Sequence, residues 1–355
     1  MKKILALYMP QFHTIPENDE WWEKDYTEWT NVKRGKKYNK NQFQPRIPEN
    51  EDYYCLLDSE VQIKQAELAK AYGIYGFCYY HYWFNGHKLL EKPMENMLNN
   101  PKVDIPFCIS WANHTWRKSQ NPDPKYILIE QKYGDEEEWI KHFNYLLPFF
   151  KDSRYILNNN KPLFVIHDAS IFENLKEFMN CWNALAKNNG FDGIYFINTL
   201  KSKRDIELTK LYNFDAQFEF EPAFSLYNKP YIFEMMAKVK RNIYRDYLHR
   251  IMIFDYNKVW KKIIKFNYDD CVTYKGCYVD WDNTPRWKNR GNFHKNANPT
   301  NFENNFEKLM KSYSGEFLFI NAWNEWGEGA YLEPDTKNGT KYLEAIHRVM
   351  EKYEK

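Results

Sequence analysis
Eight short apolar runs, spaced along the chain with helical patterns between them, restrict its fold more than any other feature. They are Ile4–Tyr8, Gly76–Tyr80, Pro106–Ser110, Pro162–Ile166, Gly193–Ile197, Ala216–Phe220, Gly276–Val279 and Glu316–Ile320. Most are apolar nearly throughout, where a sheet with one wet face would alternate, so they suit strands covered on both sides in a parallel sheet. Between them, Asp58 is placed to cap a helix over Ser59–Tyr72, with Gly73 as its stop. Trp139, Phe143, Leu146, Leu147 and Phe150 recur at helical spacing within Glu136–Phe150. Similar patterns cover Phe172–Asn188, Pro299–Ser312 and Lys341–Tyr353. Strand and helix alternating eight times over 355 residues predict a single-domain (β/α)8 barrel of the TIM type. The alternative is a doubly wound sheet, but no glycine-rich phosphate turn follows the first run.

Two connections exceed ordinary barrel loops. Residues 9–57, after the first strand, are crowded with Pro, Asn, Trp and charge. Residues 223–275, after the sixth, contain the stretch 238–265 with nine Lys or Arg opposed only by Asp246 and Asp255. That stretch suits either a solvated helical excursion or a basic arm for peripheral contact with a membrane surface or lipid-linked substrate.

Bulk properties remove several functional classes. Fifty Lys and Arg against 48 Asp and Glu leave a net charge of +2, which gives no electrostatic case for nucleic acid as the main partner. No run of about 18 apolar residues is present, so no transmembrane helix is expected. The Met1–Tyr8 start stops at Pro10-Gln-Phe-His13 without a small-residue cleavage site, and reads as a first strand. Six cysteines without CxxC or framework spacing fit a reduced, cytoplasmic protein. Aromatic residues form 19% of the chain, which implies either a ring-rich core or a ring-lined groove for a ligand with apolar faces and polar edges, such as a sugar.

Placement of the polar groups distinguishes these. In such a barrel the active site is built where strands end and βα loops begin. The first strand exits into Tyr8, Gln11 and His13, the second into Tyr80, His81 and Trp83, and the third into Trp111, Asn113 and Trp116. The fourth gives His167 and Asp168, the fifth Asn198 and Thr199, and the sixth Glu219 and Glu221. The seventh gives Asp280, Asp282 and Asn283, and the eighth Trp323, Asn324, Glu325, Trp326 and Glu328. Each has an ordinary explanation alone: a histidine satisfied in the core, Asn113 or Asp168 as a cap, a tryptophan as a lid. The opposite strand ends, such as Lys2-Lys3 and Lys161-Pro162, carry no such set. Glu325 and Glu328, with Gly327 and Gly329 relaxing the backbone around them, are placed to converge on one ligand. Two carboxyls in one apolar pocket separate in pKa into an acid and a base, which is the equipment of glycosidic bond chemistry. Glu333 is assigned to the loop.

Several ordered motifs carry a family resemblance. Tyr8-Met-Pro-Gln-Phe-His13, Glu17-Asn-Asp-Glu-Trp-Trp22, Thr27-Glu-Trp-Thr-Asn31 and Gln44-Pro-Arg46 resemble the N-terminal pattern of WbsX-like proteins. So do Gly73-Ile-Tyr-Gly-Phe77, Tyr82-Trp-Phe-Asn85, Trp111-Ala-Asn113, Trp281-Asp-Asn-Thr-Pro-Arg286 and Asn321-Ala-Trp-Asn-Glu-Trp-Gly-Glu-Gly329, a match from residue 4 to about 345. Such proteins are associated with polysaccharide biosynthesis and named glycosyltransferases. Through Asn324–Gly329 the chain is also similar to the endo-α-mannosidases of glycoside hydrolase family 99, which are (β/α)8 barrels. That resemblance implies a retaining reaction in which Glu325 deprotonates the sugar's own 2-hydroxyl and Glu328 protonates the leaving oxygen, then activates water. The N-terminal motifs are those of the WbsX-like group and not of the mannosidases, so the substrate is not carried over.

Three functions therefore compete: a glycoside hydrolase or transglycosidase acting within a mannose-like polysaccharide, a glycosyltransferase using an activated donor, and a non-catalytic glycan-binding barrel. Asp280-Trp-Asp282 is formally a DxD, a pattern that can hold a divalent metal against a nucleotide diphosphate. At a strand end it equally suits sugar hydroxyls, and no metal or cofactor is assigned. The partner expected is an oligo- or polysaccharide.

Overall fold
The computed structural model describes residues 2–118, 126–228, 239, 250–266 and 271–353. Eight parallel strands form its centre: β1 (Lys3–Tyr8), β2 (Gly76–Phe84), β3 (Phe107–Trp111), β4 (Lys161–Ile166), β5 (Tyr195–Leu200), β6 (Ala216–Glu219), β7 (Thr273–Tyr278) and β8 (Phe317–Asn321). Each pairs with its sequence neighbour, and β1 pairs with both β2 and β8, so the sheet closes. The closing registers are Lys3↔Phe317 through Ala6↔Ile320 on one side and Leu5↔Gly76 through Tyr8↔Tyr79 on the other. The helices that follow the strands are α1 (Ser59–Ala71), α2 (Lys92–Asn99), α3 (Glu136–Phe150), α4 (Leu175–Asn188), α5 (Lys203–Tyr212), α6 (Tyr256–Lys265), α7 (Pro299–Ser312) and α8 (Lys341–Tyr353). This is the (β/α)8 barrel that the apolar runs predict.

Local chemistry accounts for the element ends. Asp58 accepts from the Glu60 amide at the start of α1, and Asp135 from Glu138 at the start of α3. The strands are apolar throughout because one side faces the barrel centre and the other the helices. Trp182 of α4 lies 4.8 Å, centroid to centroid, from Phe164 of β4 and bonds the Trp139 carbonyl of α3. It joins two helices to the barrel wall.

The period-2 alternation of β2 is the feature that organises the site. Phe77, Tyr79, His81 and Trp83 point outward: Phe77 and Tyr79 pack on Tyr8, and His81 and Trp83 pack on His142 of α3. Their neighbours Tyr80 and Tyr82 are left facing the mouth. The long first connection folds back across that mouth. Met9 and Asn324 exchange hydrogen bonds at 2.7 and 3.0 Å, and Trp29 meets Trp326 at 5.4 Å.

The basic stretch behaves differently from an arm where it is described. Residues 256–265 are α6, which buries Tyr256, Val259, Trp260 and Ile263, with Trp260 stacked on Tyr278 of β7. That part is a structural helix of the barrel, and 238 and 240–249 lie outside the described residues. Among the described residues no helix is long and apolar enough to cross a membrane.

Candidate active site
Loop 8, after β8, delivers the two glutamates. Its backbone runs through a short antiparallel pair, Asn324↔Tyr331 and Glu325↔Ala330, around one 3₁₀ turn at Trp326–Glu328. Arg286 then gathers three carboxylates. Its Nη2 lies 2.9 Å from Glu325 Oε1, its Nη1 donates to Glu325 Oε2 at 3.2 Å, and Nη1 is 3.5 Å from Glu328 Oε1. Its Nε donates to Glu28 at 2.7 Å. Glu28 comes from the long first connection and Arg286 from the short helix after β7. Segments from opposite ends of the sequence thus meet over loop 8.

The glycines of this loop are required for space as well as conformation. A Cβ on Gly327 would fall 2.0 Å from Glu28 Oε1 and 2.7 Å from Arg286 Nε, so the ion pair occupies the room a side chain would need. Gly329 combines a φ of +67° with an Arg46 nitrogen 2.8 Å from its notional Cβ.

Electrostatics differentiates the two carboxyls. Burial pushes both above the usual glutamate range, and Arg286 opposes that; for Glu325, Glu328 and Glu28 add further upward pressure. One guanidinium cannot fully offset the burial of both glutamates, so both stay raised. Glu325 takes two close contacts and is 5% exposed, whereas Glu328 takes one longer contact and is 20% exposed. The guanidinium therefore draws charge toward Glu325 more than toward Glu328, while burial and the two neighbouring carboxylates work against it and push Glu325 up to about 8. Around them, Tyr80 feels the charge of both glutamates, and Tyr82 that of Glu325, Arg286 and Glu28. Trp116 packs edge-on against Tyr82 at 4.9 Å, and His167 lies 5.7 Å from Tyr80. Gln11 accepts the Glu28 amide through its carbonyl. His13 is buried beside this connection, with Nδ1 on the Pro10 carbonyl and burial lowering its pKa to about 4.

Other residues expected at the site are occupied elsewhere. Tyr8 donates outward to Gln65 of α1. His81 shares a 2.9 Å contact with His142, and Trp83 donates to Glu138, both on the helix side. Trp111 packs there too, against His142, Phe172 and Phe178. Glu219 pairs at 3.0 Å with Lys275, which also donates to the Ile263 and Phe266 carbonyls, so its carboxylate lies under α6. Trp323 packs on Phe77 outside the barrel. Asn113 exchanges two 2.8 Å hydrogen bonds with the Asp168 backbone and ties the third exit to the fourth. Asn283 fixes the Asn292 amide, and Trp326 donates to Glu333 while stacking on Tyr331 at 3.7 Å.

The DxD pair is similarly engaged. Asp280 binds Arg46 at 2.8 Å, and Asp282 accepts from Gln42 and Thr284. Both carboxylates already have protein partners, a poor donor set for an incoming metal. Among the described residues no group of three or more His, Cys, Asp or Glu converges for a metal.

Arg286, Glu28, Tyr82 and His114 carry no sequence signal of their own that marks them as site residues. Arg286 and Glu28 sit inside quoted motifs, and Tyr82 follows from Tyr80 by strand alternation; no local signal marks Glu28 as a partner of Arg286.

Comparison with known proteins agrees with this architecture. A family model described as Glycosyltransferase WbsX matches residues 4–346. WxcX proteins from two strains of Xanthomonas campestris pv. campestris, described as uncharacterized, are each 29% identical over 357 residues, covering 98% of this chain and 49% of theirs. The chain thus spans about half the length of the curated relatives it matches. The GH99 endo-alpha-mannosidase from Bacteroides thetaiotaomicron superposes with a TM-score of 0.63 at 11% identity, over 100% of this chain and 98% of that one. A glycoside hydrolase-like protein superposes with a TM-score of 0.61 at 12% identity, over 98% and 93%. At such identities the likeness is one of fold. The match across nearly the whole chain places it: the protein belongs to the WbsX glycosyltransferase family.

Proposed function
We propose that the chain cleaves glycosidic bonds within a mannose-like polysaccharide, as a retaining, endo-acting hydrolase with Glu325 as base and Glu328 as acid and base. The observation that carries this reading is the Arg286 guanidinium bound to both carboxyls at once, closer to Glu325. A base must be ionised and an acid protonated before the same step; the unequal share of one cation works toward that division, against the burial that pushes Glu325 up to about 8.

In the first step Glu325 takes the proton of the sugar 2-hydroxyl, O2 attacks the anomeric carbon, and the bond to the leaving oxygen breaks as Glu328 protonates it. The product is a 1,2-anhydro sugar. In the second, Glu328 takes a proton from water, the water oxygen bonds to the anomeric carbon, and O2 leaves that carbon and recovers its proton from Glu325. Two inversions at one carbon give net retention. Tyr80, Tyr82, Trp116 and His167 are proposed to contact the sugar.

The family's description favours a second reading, transfer from an activated donor. The separating experiment supplies polysaccharides alone and nucleotide sugars with acceptors, and follows products by mass. Glycan shortening without nucleotide, lost by about three orders of magnitude in Glu328→Gln with a folded protein, supports hydrolysis. Nucleotide release coupled to glycan extension supports transfer. Unchanged turnover in Glu328→Gln ends the assignment of that residue.

A further inference from the structure
Beyond the glutamates, three side chains from other strand exits each carry a buried polar atom that no protein group satisfies. Nδ1 of His114, Nδ1 of His167 and Oγ1 of Thr199 are each buried without a hydrogen-bond partner. They come from three successive strand exits, those of β3, β4 and β5. Buried polar atoms are nearly always paired in folded proteins, so three orphans at adjacent exits need an explanation.

Strand alternation puts His167 and Thr199 on the mouth side. Phe164 of β4 packs outward on Trp182, and the side chain of Asn198 of β5 bonds outward to Asp205 and Thr209 of α5. His167 and Thr199 therefore take the opposite face. The His114 and His167 rings lie 5.6 Å apart, and His167 is flanked by Tyr80 at 5.7 Å and Phe220 at 5.5 Å. Tyr80 also senses Glu325 and Glu328, so one tyrosine stands between this group and the glutamates.

Its charge state defines the ligand. Burial lowers His114 to about 4 and holds His167 well below the ordinary histidine value, with Lys201 adding to both effects. Lys201 is itself neutralised by Asp168 at 2.6 Å. The result is two neutral imidazoles and a hydroxyl. Each imidazole offers one donor and one acceptor, and the threonine hydroxyl offers both. An anion would need donors only and a cation acceptors only; a sugar hydroxyl both gives and accepts a proton. The rings of Tyr80 and Phe220 supply the apolar face that a pyranose covers.

We propose that His114, His167 and Thr199 form a second sugar subsite, selective for an uncharged ring with adjacent free hydroxyls, so that the substrate spans at least two residues across the mouth. This rests on the reading of the Glu325–Glu328 site as one that acts on glycans.

Thr199→Val removes the hydroxyl with almost no change of volume, and His114→Ala alters a half-buried residue on the loop after β3. The wild-type full chain and both variants are titrated with mannose, with neutral manno-oligosaccharides of two to six residues, and with uronic-acid oligosaccharides of matching length. Binding is followed by long-range nitrogen NMR of the histidine rings and, where cleavage occurs, by kcat and KM. The expected result is that neutral oligosaccharides move the His114 and His167 ring signals and mannose does so far less. Each variant weakens oligosaccharide binding or raises its KM roughly tenfold, the loss of about one hydrogen bond, with kcat nearly unchanged. Undisturbed histidine signals with every neutral oligosaccharide overturn the subsite, as does equal affinity of both variants and wild type. Tighter binding of the uronic-acid series overturns the neutral class. Ring signals that respond to oligosaccharide in a protein that cuts none of them retain the subsite while refuting the hydrolase.

Discussion

Removing the guanidinium of Arg286 tests the division of labour between the glutamates. Its charge centre stands about 4 Å from that of Glu325, which at an effective dielectric of about 20 corresponds to about 4 kcal/mol of attraction. The Arg286 side chain is one-fifth exposed, so roughly half of this, about 2 kcal/mol, survives solvent screening. At about 1.4 kcal/mol per unit, that is a shift of about 1.5 pKa units. The sign is fixed. Arg286 favours the ionised forms of Glu325 and Glu328, so Arg286→Gln raises both pKa values and moves both limbs of the kcat/KM profile to higher pH. Glu28 acts oppositely on both, so Glu28→Gln moves the limbs to lower pH, and by less. Profiles are measured on a cleaved glycan between about pH 4 and 10, with folding checked by circular dichroism. Opposite displacements by the two variants support the account. Limbs that stay in place in folded Arg286→Gln, or that move the same way in both, refute it.

Gly327→Ala is expected to stay folded and lose activity roughly 100-fold, because its Cβ must push aside the Glu28–Arg286 pair and misplace both carboxyls; full activity would show that the pair has no influence on the chemistry. The buried His81–His142 contact at 2.9 Å works only while one ring lacks its second proton, and burial lowers both pKa values, His81 to about 3. The unfolded chain therefore binds more protons below about 6.5, so this stability is complete above that pH and is lost as pH falls. Denaturant unfolding at pH 7.5 and 5.0 should show a pH-dependent loss smaller by about 2 kcal/mol in His142→Gln than in the parent. An identical loss in both proteins would show that the pair does not titrate on unfolding.

The barrel was legible in the sequence because a strand covered on both faces is apolar throughout, and eight such runs are hard to mistake. Asp58 as a cap and Gly73 as a stop followed from local chemistry, and both hold. The exits were also legible, but not which face each residue takes. Tyr80, His81 and Trp83 adjoin in sequence, whereas alternation selects Tyr80 and Tyr82 and sends His81 and Trp83 to the helices. Glu219 carried a charge at a strand end and looked available; only the fold reveals Lys275 beside it. The Glu28–Arg286 contact spans 258 positions, a separation at which spacing rules say nothing. The sequence shows Gly327 and Gly329 relaxing the backbone around the carboxylates, and the structure adds that Gly327 leaves room for an ion pair.

The most direct test of the account is the configuration of the newly formed reducing end, read by proton NMR in the first minutes of glycan cleavage, before mutarotation. Glu325 working through the sugar's own 2-hydroxyl predicts that this end first appears with the same anomeric configuration as the bond that was cut. Initial appearance of the opposite anomer would contradict the proposed roles of Glu325 and Glu328.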